Sequence, residues 1–456
     1  MVAPSRSDVE DPPDNRHRVL LVAYYFPPAG GPAVQRILQF VEHLADYGWQ
    51  PTVLTVRQGA YPNRDPSLLD AVPSSVDVHR TASLDPLALY AQLTGSGSDD
   101  GGSALPAGSL GDDRTSWLEY VARWVRANVF IPDARIGWWP FAVAAGRRLV
   151  AEHGFDMILS SGAPHSVHLI GRSLHRRTGV PWVADLHDPW TDISYYDEFP
   201  HTRWARQLDA RLEQSVLSEA SAVTTVSPSW ADLFLRKAPN RYAVIENGFD
   251  ADAFAAVEEP LDEPFVLAHI GKLYASRNPT ALWDALATLR SDGAIPALRV
   301  RLIGTVDPVV RRSIAEHELE PIVSIEPFVP HEEAIRQMAR STLLLLVIEP
   351  FAQARGMITS KLYEYLASER PVLGIGPVEG DADKLLRSAE AGRVVSWSDA
   401  PAARDLIRSH YAAWADGAPR SGASRAAIQE HNRRHQAKRL AQLFDELVAR
   451  TSSSVT

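Results

Sequence analysis

Residues 18–26 read Arg-Val-Leu-Leu-Val-Ala-Tyr-Tyr-Phe. After the arginine the run is apolar without alternation. A strand of that kind must be covered on both faces, as in a parallel sheet between helical layers. The following residues agree with this. Pro-Pro-Ala-Gly-Gly-Pro occupies 27–32, and Val34, Ile37, Leu38, Val41 and Leu44 then recur at helical spacing. Pro32 suits a first helical turn and Gly48 a helix end. Residues 51–56 are the next strand. The stretch is a βαβ unit with Gly30 and Gly31 in the loop after its first strand, where open α/β sheets bind ligands. It lacks the Gly-x-Gly-x-x-Gly dinucleotide fingerprint, and two glycines fit a plain tight turn equally well.

The same grammar repeats along the chain. Strands are expected at 156–160, 181–186, 222–226 and 242–246. An acidic, Ala- and Pro-containing stretch at 251–263 reads as a hinge. A second series follows at 265–271, 298–304, 322–328, 342–348, 372–375 and 393–397. Trp204, Leu208, Leu212 and Val216 mark a helix, and residues 428–448 a long one. At 456 residues two domains are the natural expectation. A content of 45% hydrophobic and 22% charged residues is ordinary for globular domains and lets both bury a core. Residues 83–113 are poor in structure signals, and Gly-Ser-Gly-Ser-Asp-Asp-Gly-Gly at 95–102 should be a mobile loop. Trp117, Tyr120, Val121, Trp124, Val125 and Val129 then form an aromatic stripe interleaved with Arg123 and Arg126. Such a stripe either packs on its own domain, the commoner case, or lies on a lipid surface.

A formal charge of −10 argues against a nucleic-acid partner, which demands a positive face. Without cysteine there is no disulfide, thiolate metal site or catalytic thiol. Residues 1–17 are polar and acidic with no apolar signal core, and no run approaches a spanning helix. A cytoplasmic protein is expected.

Four stretches carry candidate chemistry. In Thr-Ser-Lys-Leu-Tyr-Glu-Tyr-Leu-Ala (359–367), Thr359 or Ser360 can cap a helix, and the first-turn N–H groups of Ser360, Lys361 and Leu362 then face an anion. Lys361 adds a cation. Glu364, one turn in, can accept from a hydroxyl pair such as a ribose diol. An ordinary capped amphipathic helix with a solvated Lys361 and Glu364 explains the same letters. Asp185, His187, Asp188 and Asp192 cluster where the 181–186 strand ends, at a sheet rim; a turn begun at Asp188-Pro189 is the plainer reading. Gly271, Lys272 and Arg277 follow the 265–271 strand. Gly271 allows close backbone approach, and the two cations, of which Lys272 is one of only five lysines, could share a diphosphate unless they are simply solvated. Gly304 ends another strand at the same rim, and Phe328 ends the next.

Ser-Lys-Leu-Tyr-Glu-Tyr-Leu-Ala followed by Arg-Pro-Val-Leu resembles the donor-site helix of retaining GT-B glycosyltransferases, in particular glycosyltransferase family 4. Tyr-x-Phe-Pro-Pro-x-Gly-Gly, the His-Asp-Pro-Trp segment and Asn-Gly-x-Asp at 247–250 resemble further stretches of the same family. The resemblance covers nearly the whole chain. It implies two doubly wound Rossmann-like domains facing a cleft: 1–254 on the acceptor side, 263–425 for the nucleotide sugar, and a C-terminal helix at 426–450 crossing back to the first. It also implies retaining transfer of a sugar from a nucleoside diphosphate sugar to an unidentified acceptor hydroxyl, with no metal and no further cofactor. Glu364 would hold the ribose, the 328–331 stretch the nucleobase, Gly30 and Gly31 the region beside the diphosphate. Lys272 and Arg277 would neutralise the leaving group. His187 or Asp188 would position sugar or acceptor. Two departures stand out: His187 replaces the usual Arg, and many relatives carry a Glu where Gly356 stands, for which Glu349 would substitute only across a longer loop. A nucleotide-sugar epimerase of the same fold and a non-catalytic sugar-nucleotide binder are the alternatives. The aromatic stripe allows a peripheral contact with the inner face of the cell membrane.

Overall fold

The computed structural model describes residues 16–61, 63–84, 117–255, 264–418 and 422–453. The glycine-serine loop at 95–102, residues 256–263 of the hinge and the side chain of Trp117 lie outside the described residues.

Among these residues the first sheet has seven strands: β1 (His17–Val22), β2 (Trp49–Val56), β3 (Asp77–Thr81), β4 (Met157–Gly162), β5 (Trp182–Leu186), β6 (Ala222–Thr225) and β7 (Tyr242–Val244). All pairings are parallel, in the order β3-β2-β1-β4-β5-β6-β7. Leu21 is level with Val53 on one side and Leu159 on the other. Its neighbours Val19, Leu20 and Val22 are likewise fully buried, as expected of a strand covered on both faces. The apolar run outlasts the strand. After the Ala23 N–H bonds Leu54 O at 3.1 Å the chain leaves the ladder, and Tyr24 and Phe26 turn into the core instead.

The second sheet has six parallel strands: β8 (Phe265–Ile270), β9 (Leu298–Ile303), β10 (Val323–Glu326), β11 (Leu343–Val347), β12 (Val372–Ile375) and β13 (Gly392–Val395), ordered β10-β9-β8-β11-β12-β13.

Helices connect the strands. In the first domain these are α1 (Pro32–His43), α2 (Trp117–Asn128), α3 (Trp139–His153), α4 (Ser166–Thr178), α5 (Arg203–Glu219) and α6 (Pro228–Lys237). In the second they are α7 (Thr280–Ser291), α8 (Pro308–Glu316), α9 (His331–Arg340), α10 (Ser360–Ala367), α11 (Asp381–Ser388) and α12 (Ala400–Ala415). The last, α13 (Arg433–Ser453), returns to the first domain. Its Phe444 lies 5.0 Å from the Trp49 ring, whose indole N–H donates to Asp445 at 2.8 Å.

Each sheet changes its winding direction once: between β1 and β4 in the first, between β8 and β11 in the second. Crevices open at such switch points, outside the carboxyl ends of the strands. The loops after β1, β4, β8 and β11 are therefore where a site should form.

Candidate functional site

On the second domain three loops meet. Gly271, after β8, has φ +124°, and a Cβ there would lie 2.5 Å from the Lys361 Nζ. Gly304, after β9, has φ +126°, and a Cβ there would lie 2.4 Å from Gly271 O. Only glycine fits this backbone conformation and this spacing. The Lys361 side chain thus lies across Gly271 at the rim of the sheet. Burial, then the neighbouring Arg277, press its pKa down to about 8, against a pull from Glu364. Arg277 stands 3.7 Å from Glu349, and its Nε is buried without a partner. His269 on β8 is buried beneath them; burial, then Lys361, push it down to about 3. Its Nδ1 bonds Leu345 O at 3.0 Å, and its Nε2 is buried without a partner.

Helix α10 starts at Ser360 with Thr359 as its extended N-cap residue. The Thr359 hydroxyl makes no capping bond and is buried without a partner. The expected cap is therefore absent, and the first-turn amides of Ser360 and Lys361 are not masked by it. Leu362 does not fit its expected role as fully: its side chain is core, and its N–H already donates to Thr359 O at 3.1 Å. Glu364 accepts from His331 Nε2 at 2.9 Å, a bond that raises the His331 pKa. Phe328 is 79% exposed on the loop after β10. Lys272 is exposed and has no ion-pair partner among the described residues, so the cation beside Arg277 is Lys361.

On the first domain Gly31 is the N-cap of α1 at φ 110°, and the Gly30 N–H donates to Asn63 O at 3.1 Å. One turn in, Arg36 and Asp185 form an ion pair whose side chains are each 1% exposed. Arg36 Nε and Nη2 reach the carboxylate at 3.0 and 2.7 Å, and the guanidinium also donates to Ile245 O, Glu246 O and Asn247 Oδ1. Asp185 further accepts from Thr224 at 2.7 Å and Ser161 at 2.6 Å. His187 completes the group, 2.7 Å from Ser161 Oγ and 3.0 Å from Asp185 Oδ2. Burial alone would raise the Asp185 pKa; Arg36 and His187 outweigh it and hold the carboxyl well below its usual range. Asp188 has only His187 as a counterweight to burial, and its pKa is raised. Asp192 turns elsewhere and pairs with Lys237.

The domains touch at the carboxyl ends of both sheets, through the first turns of α6 and α11 and the loop after β11. Ser229 N and Oγ donate to Asp381 at 2.7 and 2.9 Å, and the Trp230 indole donates to Gln353 O at 3.1 Å. Gly356 fits under that indole: a Cβ would lie 2.3 Å from it. A Glu at this position has no room in this domain arrangement. A separate depression of about 490 Å³, lined in part by Arg299, Arg301 and Arg340, lies at the amino ends of β9 and β10, away from these loops. Among the described residues no cluster of three or more His, Asp or Glu could hold a metal ion, and no helix is long and apolar enough to cross a membrane.

Sequence reasoning passed over Arg36 and Ser161. Arg36 occupies the buried face of an amphipathic helix, a position that invites the reading of a snorkelling surface residue.

Residues 30–248 match the family model described as a glycosyl transferase 4-like domain. No curated protein matches the chain. Solved structures share the fold over almost its whole length. A glycosyltransferase from Rickettsia africae superposes with a TM-score of 0.60 at 14% identity, over 95% of this chain and 99% of that one. Sucrose-phosphate synthase from Thermosynechococcus elongatus gives 0.54 at 16%, over 96% and 98%. Anabaena HepE in complex with UDP-glucose gives 0.53 at 16%, over 96% and 99%. The fold is GT-B: two parallel-sheet Rossmann-like domains.

Proposed function

We propose that this chain is a retaining glycosyltransferase, moving a sugar from a nucleoside diphosphate sugar to an acceptor hydroxyl. The convergence of Lys361, Arg277, Gly271 and Gly304 on the open first turn of α10 carries this reading. Two cations, one short of counter-charge, and glycines that let backbone approach are what a diphosphate requires. The 4-like domain match supports it, as do likenesses to proteins solved with UDP and UDP-glucose.

In the proposed reaction the bond from the anomeric carbon to the diphosphate oxygen breaks first, through an oxocarbenium-like state. The acceptor oxygen attacks on the same face, and its proton passes to the departing phosphate. Lys361, Arg277 and the α10 amides stabilise the negative charge as it builds, with Lys272 at the mouth of the same loop. Glu364 takes the ribose hydroxyls, and His331 holds that carboxylate in place. His187, fixed by Ser161 and Asp185, faces the sugar or the acceptor. Product analysis separates this from an epimerase, which releases free sugar and needs no acceptor.

Thermal unfolding with UDP, GDP, ADP and dTDP, with and without EDTA, tests the donor site. One nucleotide at about 100 times its dissociation constant should add roughly 2.7 kcal/mol. The shift should vanish in Glu364→Ala and survive EDTA. No shift with any nucleotide overturns the reading in favour of a non-catalytic relative.

The exposed face of α2 extends it. Tyr120, Val121 and Trp124 on α2, and Val129 just after its end, are exposed, which favours a lipid surface over packing on the domain. Flotation with anionic liposomes should carry the protein, and Tyr120→Ala with Trp124→Ala should abolish it. A parent that stays behind removes the membrane contact.

A further inference from the structure

A cavity of about 130 Å³ lies in the first domain between the end of α2, the segment around Asp133 and the loops after β4 and β5. Its carboxylates already have protein donors. Asp133 accepts from Ser166 N at 2.8 Å, Ser166 Oγ at 3.0 Å and Arg135 N at 2.8 Å. Asp209 accepts from the Trp190 indole at 2.7 Å and the Tyr196 hydroxyl at 3.0 Å.

Its nitrogen groups are not matched in this way. Arg126 is half-buried, and it has no hydrogen-bond or ion-pair partner among the described residues. Its guanidinium lies 5.0 Å over the Phe199 ring. His165 is 9% exposed, stacked on Trp190 at 4.6 Å, and its Nδ1 is unpartnered. Burial, then Arg135, lower the Arg126 pKa, against smaller opposing pulls from Tyr195 and Asp133. Guanidinium stays protonated in proteins, and an anion would offset the part of its desolvation that solvent and the Phe199 ring do not. Its planar fork suits two oxygens of one carboxylate or phosphate. Trp190, Ile193 and Tyr195, the last 43% exposed, line the cavity and belong to the loop that His187 and Asp188 begin, so the cavity adjoins that loop.

Resting on the transferase reading, we propose that this cavity receives the anionic end of the acceptor, a carboxylate or phosphate gripped by Arg126, with the sugar-sized ring that bears it outside the cavity. The ring lies against Tyr195 and turns a hydroxyl towards His187 and Asp188. The cavity's own carboxylates have protein donors, although burial still raises the pKa of both, Asp209 to about 6, whereas the Arg126 fork has no hydrogen-bond or ion-pair partner among the described residues.

The test is titration of the full chain with methyl β-D-glucuronide, glucose 6-phosphate and methyl β-D-glucoside at low salt, followed by the tryptophan indole signals in NMR. One anionic probe should bind and shift an indole signal, and the neutral glucoside should not. Glucuronide binding identifies a carboxylate acceptor, and glucose 6-phosphate binding a phosphorylated one. Arg126→Gln should weaken the bound probe at least tenfold while keeping the parent melting temperature. Should that variant fail to fold, Arg126→Lys, which keeps charge without the fork, should weaken it by a smaller factor. Equal binding of all three probes, no binding, or anionic binding untouched by the Arg126 variant that folds overturns the proposal. Nucleotide-induced stabilisation is read on the same samples. If it persists while the anionic probes fail, only the acceptor assignment falls. If it is absent while they bind, the transferase reading falls, and with it the acceptor role.

Discussion

Replacing Lys361 with Met is expected to lower turnover about 10²–10³-fold, the usual loss when one preorganised donor to a developing oxyanion is removed. The same change should leave the unliganded protein as stable as the parent, or more so. In the free structure the Lys361 ammonium is desolvated beside Arg277, with Glu364 as its opposing attraction. A lysine held near 8 rather than 10.5 costs the fold on the order of 3 kcal/mol at neutral pH. The folded-state pKa is depressed, so between about 8 and 10.5 the unfolded chain binds more protons. The penalty is full below about 8, and stability contributed by this site rises with pH through that window. Nucleotide affinity runs the other way. A diphosphate binds the protonated amine, so affinity should fall as pH rises through about 8, and this dependence should be missing in Lys361→Met. Kinetics at saturating donor and melting curves with and without nucleotide check each part. Unchanged turnover, or a variant less stable than its parent without ligand, would remove Lys361 from the proposed role.

Lys361 also shows how far the letters of the sequence reach. Its place at the start of a helix with Glu364 one turn in could be read from spacing, because a helix turn fixes both. Which of the two loop lysines lies beside Arg277 could not. That depends on the β8 loop passing under the α10 loop, a contact between residues 90 positions apart permitted by the missing side chain of Gly271. Leu362 illustrates the limit from the other side. Spacing places its amide in the first turn, but a short loop closure back to Thr359 occupies that amide. Gly356 looks like a lost carboxylate in the sequence; in three dimensions it is the space that the Trp230 indole of the other domain needs.

The strands were the most legible part of the fold, because central parallel strands are apolar on both faces and nothing else in the chain reads that way. The edge strand β3, Asp-Val-His-Arg-Thr, carries no such signal: it is partly exposed and paired on one side only. The long C-terminal helix was expected from residue 428, but the regular helix begins at Arg433, after a short turn at Arg425–Ile428 and a tighter one at Gln429–His431. Periodicity does not distinguish a helix from two short turns that lead into it.

Arg36→Met should be the most destabilising single change in the first domain, at about 3–5 kcal/mol, the range for removing one partner of a buried ion pair. The loss exceeds that of a surface pair because Asp185 would remain 1% exposed with its charge uncompensated, and three acceptors on the 245–247 segment would lose their donor. Acid sensitivity should change in a defined direction. With Arg36 present the Asp185 carboxyl is held well below its usual range; its stabilisation is full above the unfolded value, about 3.9, and is lost as pH falls through the folded one. Without Arg36, burial is opposed only by His187 and the Ser161 and Thr224 hydroxyls, the carboxyl rises, and the acid unfolding midpoint should move to higher pH. Arg36→Met combined with Asp185→Leu should recover much of the loss, since a buried pair replaced by apolar groups often breaks even. Denaturant titrations of the three variants measure this. A single variant within 1 kcal/mol of its parent would sink the argument. Recovery of stability in the double variant without recovery of activity would show what the pair is for: Asp185 shares its Oδ2 with His187 and Ser161, so the fold can dispense with the charge while the histidine at the cleft cannot.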